Sequence, residues 1–148
     1  MTNRSFRVEW SIQSGKFKYD LIRSARERVD RAIKLGFHIE AIALLESLIA
    51  DRLESCIEYK SGETQRVQNL GPLVKSAISY EIISVEFAAE IRKWSDNRAR
   101  VIHEMVKVSS EISGNLKERM KFARELALEG KEMLKRIEKI SRSYRPIR

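Results

Sequence analysis

The stretch FHIEAIALLESLIADRLESCIEY, from Phe37 to Tyr59, most constrains what this chain can become. Ile39, Ala41, Ile42, Ala43, Leu44, Leu45, Leu48, Ile49, Leu53, Cys56 and Ile57 cover more than one stripe of a helix. A surface helix needs only one apolar stripe, so a helix this broadly apolar has to be central to a bundle. Asp51, Arg52 and Glu54 interrupt the apolar surface, which requires that one side reach water or a polar cleft.

The flanking sequence supplies helices to pack around it. From Tyr19 to Leu35, Ile22, Ala25, Val29, Ala32 and Ile33 recur at spacings of three and four, with arginines and a glutamate opposite. Gly36 then ends that helix. Residues 1–18 read as an irregular or partly helical arm. Lys60 to Asn69 is polar, contains Gly62 and reads as a loop; Pro72 lies just inside a short helix, where its missing N–H is harmless. Tyr80 to Trp94 is helical again. Ser95, Asp96 and Asn97 are three successive N-cap residues, which suggests that one helix stops there and another runs from Arg98 to Ile112; a continuous helix is the competing reading. Ser113, Gly114 and Asn115 form a break before a last long helix, Leu116 to Ser141, and residues 142–148 form a basic tail. Strand periodicity, internal repeats and a second composition are all missing. The expected architecture is all-α: one domain of 148 residues, an antiparallel bundle of about five helices with a long C-terminal one.

Composition narrows the function. A single cysteine, Cys56, allows neither an internal disulfide nor a cysteine-rich zinc site, and its place in the apolar pattern makes it a packing residue. With two histidines, His38 and His103, no His-based metal site is expected, and no cofactor. His38, at a helix start, reads as structural. No apolar run approaches the ~20 residues that span a bilayer, and MTNRSFRVEW lacks the apolar centre of a signal peptide, so the expectation is a cytoplasmic protein without membrane contact.

The formal net charge of +8 attracts polyanions, RNA or DNA first. It is carried by the two ends: eleven Lys/Arg against five Glu from Lys117 to Arg148, and eight against four Asp/Glu from Met1 to Arg31. On phosphate such charges give salt-dependent affinity without sequence reading.

Chemistry concentrates in WSDNRARVIHEMVK, Trp94 to Lys107. In a continuous helix Arg98 falls on the apolar stripe Phe87, Ile91, Trp94, Val101, where a guanidinium needs a polar cleft, a partner carboxylate or a subunit interface. If the helix restarts instead, Arg98 lies in a first turn beside free N–H donors. Asp96 and Glu104 are the nearest carboxylates in sequence to pair with it. His103, five residues on, sits about 140° around the helix, so the two side chains of one chain flank a cleft or meet those of a two-fold-related copy. A histidine can take the proton from a ribose 2′-OH while an arginine fork holds the phosphate.

Arg98-Ala-Arg-Val-Ile-His103, late in an all-helical chain of this length and preceded by the broad apolar helix, the loop and LGPLVKSA, resembles the HEPN superfamily, whose hallmark is Arg, four to six residues, then His. The resemblance covers roughly Tyr19 to Ser141. It implies a metal-independent endoribonuclease of toxin or phage-defence type, acting as a homodimer on RNA, with an antitoxin or a nucleotidyltransferase as a further partner. Arg98 would orient phosphate and His103 act as acid and base, with Asp96, Asn97, Arg100 and Glu104 in support. The family commonly has a polar residue directly after the arginine; here Ala99 stands there and Asn97 precedes. Where some members carry a modifiable tyrosine, this chain has Met105. The alternative is a non-catalytic module of the same shape that binds nucleic acid, a nucleotide or a partner protein.

Overall fold

The computed structural model describes residues 3–63 and 69–144, with side chains from residue 15 onward. Among these residues there are five helices and no strand: α1 (Asn3–Leu35), α2 (His38–Ser61), α3 (Leu70–Ser79), α4 (Val85–Glu104) and α5 (Leu116–Ser143). The bundle is therefore all-α with a long last helix. None of these helices is long and apolar enough to cross a membrane.

α2 is the hub, packing against each of the other four. Its Ala41, Ile42, Leu45, Ile49, Leu53 and Ile57 have no exposed surface, and Cys56 is buried among them, where desolvation pushes its thiol up. The broad apolar arc is thus consumed by neighbours on several sides. Gly36 turns α1 into α2: at φ +86° it lets its own N–H reach the Ile33 carbonyl (3.2 Å) and the next N–H, of Phe37, reach that of Ala32 (2.7 Å). This closes the carbonyls that the helix end leaves open.

α4 packs on α5 through Trp94, which is fully buried and donates its indole N–H to the Leu126 carbonyl of α5 (2.9 Å). Gly130 on α5 lies over that ring. A Cβ there would come within 2.8 Å of Trp94 Cζ2, so the glycine that weakens α5 locally is what admits the indole.

Four expectations are corrected. The arm read as irregular or partly helical is helical from Asn3 onward and extends α1 by about four turns. Tyr80 to Ser84 is a turn, with Glu81 at φ 58°, and α4 begins only where Ser84 Oγ accepts the Phe87 N–H (3.0 Å). α4 does not break at Ser95–Asn97. It also stops at Glu104 rather than Ile112. The middle of the expected loop, 64–68, and the end of the basic tail, 145–148, lie outside the described residues.

His38 is buried at the start of α2, and its Nδ1 has no hydrogen-bond partner among the described residues. Burial, then the nearby Arg124 charge, hold the imidazole below its ordinary 6.5. The unfolded chain therefore takes up a proton as pH falls through about 6.5, before the folded chain does, and stability declines from there until the folded imidazole also protonates. Urea midpoints at pH 7.5 and 5.5 should differ more for wild type than for His38→Leu; equal differences would mean that His38 carries none of the pH dependence.

Candidate site around Arg98 and His103

α4 runs unbroken through Ser95, Asp96 and Asn97, and this decides where Arg98 points. It follows Phe87, Ile91 and Trp94 and precedes Val101 on the buried stripe, with 24 % of its side chain exposed. The partner that such a position demands is Glu46 of α2: Arg98 Nη1 lies 2.9 Å from Glu46 Oε2, itself 27 % exposed. Neither Asp96 nor Glu104 pairs with Arg98, contrary to expectation. The carboxylate comes from the facing helix because the stripe faces α2, while Asp96 lies on the exposed side.

The pairing leaves capacity unused. Arg98 Nε is buried and has no acceptor among the described residues. A buried unsatisfied guanidinium donor is uncommon and calls for an explanation.

The supporting residues form a separate group. Arg100 bridges Asn97 Oδ1 (3.4 Å) and Glu111 (2.9 Å), tying the solvent side of α4 to the connection that follows. Asp96 lines a shallow depression of about 100 Å³ between α3 and α4. Glu104 is the last residue of α4, and its carbonyl accepts from Arg119 (3.0 Å). His103 is exposed in the final turn of α4. The unbroken helix puts it about 7.5 Å along the axis and 140° around from Arg98. One chain therefore does not bring Arg98 and His103 onto one face.

Two residues outside the sequence-derived set shape the site. Glu46 had one usable signal: it is the lone acid within AIALLES, a stretch too apolar for a carboxylate without a partner. Arg119 had none, since on a basic amphipathic helix it resembles any surface arginine. It is instead buried, and its guanidinium gathers the carbonyls of Glu104, Met105, Lys107 and Gly114 at 2.7–3.1 Å. This clamp holds the connection after α4 and so fixes the end of the helix that carries His103. Among the described residues no three His, Cys, Asp or Glu side chains gather as a metal site would require. No family model, curated protein or solved structure matches the chain.

Proposed function

We propose that the protein is an endoribonuclease whose working site forms when two copies place Arg98 of one beside His103 of the other. What carries this reading is Arg98 itself. A guanidinium has been placed on a core stripe, fixed by Glu46, and left with an unspent donor. The resemblance of Arg98-Ala-Arg-Val-Ile-His103 to the HEPN motif supplies the reaction class. A ribose 2′-oxygen attacks the adjacent phosphorus and gives its proton to one histidine. The phosphorus–O5′ bond breaks, and the 5′-oxygen leaves with that proton, returned by the same histidine acting as acid. The arginine holds the non-bridging oxygens as charge builds on them. The separation of 140° within one chain is why a second copy is invoked.

The test is RNA cleavage by the full chain in EDTA, with the ends sequenced and the mass measured by light scattering. The expected result is a dimer that leaves 2′,3′-cyclic phosphate and 5′-hydroxyl ends. A monomer, or RNA left intact, would remove the proposal. One observation favours a second reading, a module that binds nucleic acid without cutting it: Glu46 already neutralises Arg98. Retention of RNA without cleavage in the same assay would select it.

A further inference from the structure

A cleft of about 370 Å³ opens between the middle of α1, the α2 residue Arg52 and the end of α5. It is lined by Lys18, Arg23, Arg26, Arg52 and Arg142 against a single carboxylate, Glu138. Arg26 and Glu138 pair across it at 2.8 Å. Asp51, just behind, is shared by Lys18 (3.4 Å) and Arg52 Nε (3.0 Å), and among the described residues Arg23 has only the exposed Glu27 one turn away (3.3 Å). With those acids included, cations still outnumber carboxylates by two. Arg142 has no ion pair among the described residues.

Arg52 forms the floor. It is buried on the central helix α2, with Nη2 as well as Nε directed at Asp51. Burying a guanidinium is costly, and surrounding it with four more cations raises that cost. A leucine would serve packing better there. The arrangement is explained if the cleft takes an anion, and arginine forks match phosphate oxygens. Tyr19, largely exposed on the same wall, gives a flat ring beside the charges on which a base can stack.

We infer that this α1/α2/α5 cleft binds the phosphates of a nucleotide unit, with its base on Tyr19, either as a free nucleotide or within a single strand. The inference does not depend on the ribonuclease reading, because the cleft and the Arg98–Glu46 pair involve different partners of α2.

The test uses the full chain and a fluorescent ten-nucleotide 2′-O-methyl RNA, which offers no 2′-hydroxyl to cut, with ATP and inorganic tripolyphosphate as competitors. Arg23→Glu and Arg142→Glu, both exposed in the wild type and so unlike Arg52 no risk to folding, should each weaken binding by about tenfold and flatten its salt dependence. The control reversal Lys121→Glu lies about 30 Å away along α5, beyond screening distance, and should change binding less than about twofold. Tyr19→Ala should weaken oligonucleotide and ATP by about tenfold but leave tripolyphosphate unaffected. Displacement by ATP identifies a free-nucleotide site, and its failure to displace identifies a strand site; both support the inference. Absence of binding at 50 mM salt, or equal weakening by Lys121→Glu, overturns it. His103→Ala should leave this binding intact, so loss of cleavage and loss of binding are separable.

Discussion

Arg119→Met should destabilise the fold by about 3–5 kcal/mol, read as a fall in the urea midpoint. The arginine sits on the second turn of α5 yet acts on the end of α4. Nε donates to Gly114 (3.0 Å), and Nη1 lies within reach of Glu104 (3.0 Å), Met105 (3.1 Å) and Lys107 (2.7 Å). Nη1 has two hydrogens for three carbonyls, so at least one hydrogen is shared. The Glu104 and Met105 carbonyls are acceptors that the end of α4 leaves behind, those of Lys107 and Gly114 belong to the connection, and one guanidinium meets all four where no glycine cap serves. Methionine matches the volume and supplies no donors, so the loss reports the polar role. Lysine retains the charge on a single nitrogen and cannot span both Gly114 and Lys107, so Arg119→Lys should recover less than half of the deficit. Amides of residues 105–115 should exchange faster in both variants. A change below about 1 kcal/mol would mean that water satisfies these carbonyls equally well.

The same clamp marks where reading the sequence reached its limit. The hub role of α2, the Gly36 turn and the long last helix followed from local patterns, because apolar periodicity and a positive-φ glycine express themselves within a few residues. The end of α4 did not. Val106 and Val108 continue an apolar pattern in sequence, yet both are almost wholly exposed, because the carbonyls before them are held by a residue more than ten positions away. The run Ser95-Asp96-Asn97 failed in the opposite direction. Each disfavours a helix interior by only a few tenths of a kcal/mol, whereas burying Trp94 and Val101 on one continuous stripe contributes several kcal/mol. Tertiary burial therefore overrides three good cap residues. For the site, Arg98 was legible as a charge needing a partner on the core stripe. Glu46 as that partner required knowing which face of α2 meets α4, and the basic cleft required knowing that Lys18, Arg52 and Arg142 converge.

Mixing two inactive variants should restore activity if the proposed site is shared between copies. His103 is exposed, so His103→Ala should change stability by less than about 0.5 kcal/mol while lowering RNA cleavage by at least about 100-fold. Arg98→Ala would strand the Glu46 carboxylate, confusing folding with catalysis. Arg98→Lys keeps a charge opposite Glu46 and removes only the fork, so it is the cleaner variant, again with a loss of about 100-fold. In a two-fold dimer of the two variants, one site pairs the intact Arg98 of one copy with the intact His103 of the other, and the second site lacks both. After subunit exchange about half of the dimers are mixed and each has one of two sites, so about a quarter of wild-type cleavage should return. A site using Arg98 and His103 of the same chain gives no recovery, since every chain in the mixture lacks one of them. Full loss after mixing, with exchange verified by mass spectrometry, would therefore exclude the shared arrangement and return the 140° separation to what it is in one chain: an ion-paired arginine and a solvent-facing histidine on different faces of α4.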